Sequence, residues 1–237
     1  MRKLFFATLF CASAVNAQTS TPAITDAEEI HVGIVLAHKY KVARGLAPTP
    51  EIDRIESYLQ QVGSRVAAHA QRKLPYQFHF DPNPGFKSAV GLPGGQIFVG
   101  GGILAYMDTE DELAVVLGHE IEHVALGQCR DRLAEQLAKQ HLKIDGVKSL
   151  DLEPFMRSYG HDGEFAADLG GVKLAMAAGY SANAGVRILR MFLLQADQMT
   201  HTPSEAKANL EARIAQIQPL VDGQKPAPDE KPLGLVP

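Results

Sequence analysis

His119-Glu120-Ile121-Glu122-His123 is the stretch of this sequence best equipped for chemistry. On an α-helix, residues i and i+4 stand one above the other, roughly 6 Å apart at Cβ. Two imidazoles so placed can reach one metal ion through bonds of about 2.0–2.1 Å. Glu120 lies beside the first of them, where it could take a proton from a water that the ion activates. Such a centre needs a third protein ligand, and partners that fix the imidazole rings.

The flanking residues predict the helix that this spacing requires. Thr109-Glu110-Asp111-Glu112 reads as a capping box, with Thr109 as N-cap and Glu112 at the third helical position. Acidic residues in a first turn also suit the helix dipole. Leu113, Val116, Leu117 and Val124 recur at helical spacing, and Gly127 is a stop. The expected helix runs over about 110–127, half buried, with both histidines on an inward face.

A second carboxylate pair follows. Glu164 and Asp168 are i and i+4 in the Ala-rich run Gly163-Glu-Phe-Ala-Ala-Asp168, so they share a helix face. Alone, the pair is explained by solvated acids near a helix N-terminus. If buried, it needs partners. A metal and a ligating histidine would supply them, with Glu164 as third ligand and Asp168 accepting the outer N–H of an imidazole. Beside an H-E-x-x-H helix the second reading is the stronger.

The rest of the chain must position these groups. Residues 1–17 read as a secretory signal peptide: Arg2 and Lys3, an apolar run from Leu4 to Val15, and Val15-Asn16-Ala17 as cleavage site. The residues before Cys11 are not those of a lipoprotein site. Removing the leader takes the formal net charge from −4 to about −6. The 237-residue chain shows no basic patch, which argues against nucleic acid. No other apolar run is long enough to span a membrane. With Cys129 the one cysteine outside the leader, no internal disulfide can form, and a packing role is expected for it.

Amphipathic helices are predicted over 26–45 and 51–72, separated by Pro48 and Pro50. His31, His38 and His69 lie on them without ligand spacing. Tyr76 to Phe80 alternates like a half-buried strand, and a turn at 81–84 follows. Leu92-Pro-Gly-Gly95 is a sharp turn and Gln96-Ile-Phe-Val99 a short strand. Gly95, Gln96, Ile97, Phe98 and Val99 are expected to form an open sheet edge beside the metal helix, where an extended peptide could pair. Helices are expected over 130–142, 163–179, 183–199 and 203–217, with a looser connection over 145–157. Residues 18–218 form one domain, and the Pro-rich, polar segment 219–237 is expected to be a disordered tail.

In this order, Leu92-Pro-Gly-Gly95, His119-Glu-Ile-Glu-His123 and Glu164-Phe-Ala-Ala-Asp168 resemble the zinc endopeptidase family of HtpX, the CaaX prenyl proteases and the β-barrel-assembly-enhancing proteases. The resemblance covers about residues 26–218. It implies an α+β, mainly helical, zincin-like (gluzincin) domain with a small β-sheet beside the H-E-x-x-H helix. It implies one Zn2+ per chain on His119, His123 and Glu164, with Glu120 as acid/base and Asp168 as the family's second acidic residue. His201-Thr-Pro203 resembles the family's His-Pro segment, so His201 could stabilise an oxyanion or regulate the metal. Unfolded or extended polypeptides in the periplasm are the implied substrates, with no stable membrane insertion after signal cleavage. The rival reading is a chaperone-like, non-proteolytic or latent zinc-binding protein acting on envelope clients. Three departures stand out: Glu122 where a small or apolar residue is usual, Ser88 before the turn, and Leu169-Gly170 after Asp168.

Overall fold

The computed structural model describes residues 24–198, 204–225 and 227–235. It is mainly helical, with a three-stranded sheet. Helices α1 (Asp26–Arg44) and α2 (Pro50–Ala67) precede strands β1 (Gln77–Asp81), β2 (Ala89–Leu92) and β3 (Gln96–Gly100). The short α3 (Gly101–Leu104) leads to α4 (Glu110–Ala125), which carries the H-E-x-x-H residues. Then come α5 (Gln128–Lys139), α6 (Gly160–Ala177), α7 (Asn183–Gln198) and α8 (Ser204–Gly223). Helix α2 stops at Ala67 rather than Arg72, which frees Arg72 to turn inward. Its guanidinium reaches Glu29 on α1 and the main-chain oxygen of Val124 near the end of α4.

Helix α4 is the central element. Thr109 and Glu112 form the expected capping box. Apart from His119 and Glu122, every residue of the helix is buried. It packs on α6, α2, α7 and β2. One core lies between α2, the sheet, α4, α6 and α7. A smaller one gathers Val32, Leu36, Phe98, Leu133 and Phe155 under α1.

Helices α4 and α6 approach closely because two glycines face each other. A Cβ on Gly118 would stand 2.5 Å from the oxygen of Gly171, and one on Gly171 would stand 2.5 Å from the nitrogen of His119. Contact at backbone distance brings Glu164 and Asp168, on α6, within reach of the histidines. Glu122, standing where a small or apolar residue is usual, does not loosen this crossing. Its side chain lies over Gly170, where a Cβ would meet it at 2.5 Å, so the two departures compensate each other.

The sheet order is β1-β3-β2, with β1 parallel and β2 antiparallel to β3. This corrects the expected open edge: Gln96–Val99 is the central strand, paired on both sides and buried throughout. Its apolar run, Ile97-Phe98-Val99, is what two-sided burial demands. The edge beside α4 is β2. In the turn between these two strands, Gly94 has φ +70°, and a Cβ there would lie 2.5 Å from Cα of Ile30 on α1. The glycines therefore dock the turn on α1, where Glu29 accepts the Gly94 N–H at 3.1 Å.

The C-terminal segment is the second correction. Helix α8 continues through Pro219 to Gly223. Beyond it, residues 231–233 lie along the start of α4. Pro232 bridges Thr109 in antiparallel fashion. Leu233 N–H donates to Asp108 O at 3.0 Å, and Glu110 N–H donates to Lys231 O at 2.8 Å. Proline and polar residues read as a solvated tail, yet here the main chain finds partners on a helix approach.

Candidate metal centre and active site

On α4, the Nε2 atoms of His119 and His123 lie 2.9 Å apart, with the rings nearly perpendicular. From α6, Glu164 brings Oε2 to 3.4 Å from His119 Nε2 and Oε1 to 3.9 Å from His123 Nε2. These three residues form the one such cluster among the described residues whose ligand atoms all lie within 4.8 Å of one another. Donors around a tetrahedral ion with arms of about 2.0–2.1 Å stand roughly 3.4 Å apart, so the separations fit one ion.

The outer nitrogens decide the tautomers. His119 Nδ1 faces Asp168 Oδ1 at 2.9 Å, and His123 Nδ1 faces Gln128 Oε1 at 2.5 Å. Both partners are acceptors, so each Nδ1 carries the proton and each Nε2 turns its lone pair inward. Two lone pairs and a carboxylate aimed at one point repel one another unless a cation joins them. The donor set is therefore that of a metal site. Without a metal the proton takes this part. Burial opposes charge on His119, but hydrogen bonds to Asp168 and Glu164 overcome it and hold its pKa up at about 10. Burial, reinforced by that charge, pushes His123 down to about 4. Glu164 is buried too, yet the His119 hydrogen bond and charge hold it well below the carboxylate range.

A surrounding set of groups fixes the ligands. Ser158 Oγ and the Tyr159 N–H donate to Glu164 Oε1 at 2.8 and 3.0 Å, leaving Oε2 turned to the histidines. Arg213 on α8 grips Asp168 with two N–H groups, at 2.5 and 2.8 Å, and lies 3.4 Å from Glu164. The Tyr159 ring packs on His123 at 4.4 Å between centroids. Cys129 is buried against the same tyrosine and Gly91, and burial pushes its thiol up to about 12, so it packs rather than reacts.

Glu120 stands apart from the ligands. It is buried, and burial raises its pKa to about 7, with Glu164 adding to the rise and the His119 charge and the Gly91 N–H opposing it. A carboxyl group poised near neutrality beside a metal site is suited to take up and return a proton.

The structure thus brings together His119, His123, Glu164, Glu120 and Asp168. Gln96 to Val99 do not join them, being sealed inside the sheet, nor does Gly95, buried in the turn that precedes it. His201 lies outside the described residues, as does the expected signal peptide over 1–17. Gln128 and Arg213 escape a reading of the sequence. Gln128 follows the helix stop on a new helix, and Arg213 arrives from 45 positions beyond its partner Asp168. Neither carries a local signal.

Two histidines one turn apart, a glutamate between them and a carboxylate from a second helix, set in a mainly helical fold, form a ligand set of the kind metallopeptidases use. The model of peptidase family M48 matches residues 53–218, well over half of the chain, and the chain belongs to that family. It is 24% identical over 208 residues to the β-barrel assembly-enhancing protease of Escherichia coli K12, a match covering 75% of this chain and 42% of that one. The mitochondrial metalloendopeptidase OMA1 of Schizosaccharomyces pombe is 35% identical over 98 residues, covering 40% of this chain and 28% of that one. The β-barrel assembly-enhancing protease of Yersinia pestis is 31% identical over 105 residues, covering 44% and 21%. The chain therefore spans less than half the length of these relatives.

Proposed function

We propose that this chain is a zinc-dependent endopeptidase, with one ion per chain, that cuts extended segments of unfolded or misfolded envelope proteins in the periplasm. The observation that carries the proposal is Glu120: a buried carboxyl group with a raised pKa, next to a ligand set it does not join. A purely structural zinc has no use for it. His119, His123 and Glu164 would hold the ion, which when bound polarises the scissile carbonyl and acidifies a water. Glu120 takes the proton of that water as it attacks the carbonyl carbon, then returns it to the leaving nitrogen. Asp168 and Gln128 keep the imidazoles in one tautomer throughout.

Strand β2 supports an extended substrate. Gly100 N–H donates to Ser88 O, and the register runs Val90 opposite Phe98 and Leu92 opposite Gln96. By antiparallel alternation, the main-chain groups of Ala89 and Gly91 point away from β3. Those of Gly91 meet Glu120 and Cys129. Ala89 lines the cavity at the metal cluster, where a peptide could pair with its main chain by displacing the Ser88 hydroxyl from the Ala89 oxygen. An open groove lined by Ser158, His161, Glu205 and Asn209 shares Glu164 and Arg213 with that cavity, which suits a chain passing through rather than ending at the site.

The location rests on the basic, apolar and small-residue start of the sequence; among the described residues no helix is long and apolar enough to cross a membrane. The relatives named for β-barrel assembly support envelope proteins as clients. The test is incubation of the zinc-loaded chain with an unfolded protein, with and without chelator. Cleavage that stops on chelation is expected. Intact substrate in the presence of bound zinc would leave the chaperone-like, latent reading in its place.

A further inference from the structure

We infer that Arg132 is a positioning residue for the metal site: from α5 it holds the strap 157–159, and through that strap it fixes Glu164 as the third ligand. This rests on the ligand set His119, His123 and Glu164 proposed above, and not on what the site cleaves. Residues 157–159 lie between a turn of 3-10 helix (Glu153–Met156) and α6, and no regular element fixes them. Arg132 does so instead. Its guanidinium donates to the main-chain oxygens of Arg157 at 2.5 Å and Ser158 at 2.9 Å. Its Cζ stands 3.5 Å from the centre of the Tyr159 ring, so it covers that ring as well. A planar, forked cation with a flat face suits all three contacts at once.

The strap meets Glu164 on its other side, where Ser158 Oγ and the Tyr159 N–H hold Oε1. That N–H and the Ser158 oxygen belong to one peptide group. Such a group is planar and almost always trans, so its oxygen and its N–H point in opposite directions. Arg132 takes the oxygen and Glu164 the N–H. Rotating the group to break one bond breaks the other. Arg213 also approaches Glu164, but at Oε2, the oxygen turned to the histidines, so it does not anchor Oε1. The same helix serves the second histidine. Gln128, one turn before Arg132, meets Nδ1 of His123. The Tyr159 ring that Arg132 covers lies 4.4 Å from the His123 ring, and its hydroxyl donates to Cys129 Sγ at 3.2 Å. Helix α5 thus ties the helix that carries the histidines to the helix that carries the glutamate. Ligands placed in advance need no ordering when the ion arrives.

The experiment measures zinc dissociation constants, by competition with a chelating dye, for the full chain, Arg132→Ala, Glu164→Ala and the double variant. Visible spectra are recorded with Co2+ in place of zinc. Arg132→Ala should weaken zinc by about 10-fold or more and alter the Co2+ bands, because Glu164 loses its fixed approach. Arg132→Lys keeps the charge without the fork, and should recover only part of the loss. In a chain already carrying Glu164→Ala, removing Arg132 should cost nothing further, since the route through Glu164 is gone. A merely structural role would lower affinity by the same factor in both backgrounds and leave the Co2+ bands as they are. Unchanged zinc affinity in Arg132→Ala, or an equal loss in both backgrounds, overturns the positioning role and leaves the ligand set standing. If Glu164→Ala itself binds zinc as tightly as the full chain, the ligand set fails and the role of Arg132 falls with it. Should Arg132→Ala not fold, Arg132→Lys takes its place in the same cycle, and the same two outcomes decide.

Discussion

At the N-terminal end of α4, Glu110, Asp111 and Glu112 are buried and surrounded by donors; eight residues past Glu112, Glu120 is just as buried and is not. Glu110 accepts from Tyr58 at 2.8 Å, Arg65 at 2.8 Å and Tyr180 at 3.0 Å. Asp111 accepts main-chain N–H groups of Ser181 and Lys231. Glu112 accepts Arg187 and the N–H groups of Asp108 and Thr109. Burial opposes the charge of Glu110 and Glu112, but these donors prevail and hold both below their usual value. Glu120 meets apolar walls and a second carboxylate, and its pKa rises to about 7. The same side chain is a fastener where several donors surround it and a proton carrier where the Gly91 N–H alone does not offset burial.

The largest effects should separate the two ends. Glu120→Gln keeps the shape and removes the base, so turnover of an unfolded substrate should fall by about 10²–10⁴-fold with zinc content and melting temperature retained. The matching exchange at the other end, Glu112→Gln, should do the reverse. It should cost about 1–3 kcal/mol of stability by denaturant titration, with kcat of the folded fraction unchanged. Full turnover in Glu120→Gln would remove the proposed base. Next in size, Asp168→Asn should weaken zinc binding by about 10–100-fold in a competition with a chelating dye, because it loosens the hold on His119. Unchanged affinity would reduce Asp168 to an anchor for Arg213.

How much of this was legible in sequence depends on the reach of each interaction. The capping box, the i,i+4 histidines and the i,i+4 carboxylates are local, and they stand where their spacing put them. Gly118 and Gly171 set the helix crossing, but small residues carry no sign of which helix they will meet. The strand order was hidden for a similar reason. β3 comes last in the chain and sits in the middle of the sheet, and a five-residue strand does not reveal how many neighbours it will have. Arg213, Gln128 and the partners of the tail act across long separations, with no periodicity to mark them.

The pH dependence of the metal-free chain sharpens the comparison further. Glu110 and Glu112 have folded pKa values below their ordinary 4.5. Their stabilisation is present above about 4.5 and is lost as pH falls through the lower folded values. His119, raised from 6.5 to about 10, stabilises fully below 6.5 and loses that contribution as pH climbs towards 10. Glu120, raised from 4.5 to about 7, opposes folding increasingly across that interval. Melting temperature of the chelated protein should therefore fall on both limbs. Glu112→Gln should flatten part of the acid limb alone, whereas His119→Ala should flatten the alkaline limb and, by releasing Glu164 and Asp168, part of the acid limb as well. A Glu112→Gln variant that also flattened the alkaline limb would mean that the two ends titrate as one system.

The smallest effect is expected from removing residues 227–237. Glu230 pairs with Arg187, whose side chain is about one-third exposed (32%), and such a pair contributes about 0–1 kcal/mol. The main-chain contacts of Lys231 and Leu233 add a similar amount each. Truncation should lower stability by roughly 1–2 kcal/mol and leave zinc affinity and kcat untouched. Arg187 also gives the truncation a second readout, because the next two residues on α7, Ile188 and Leu189, both line the cavity at the metal cluster. If the truncated chain loses affinity for an unfolded substrate while its zinc stays bound, α7 transmits the state of the tail to that cavity. The two ends of α4 would then be coupled through a neighbouring helix rather than along their own.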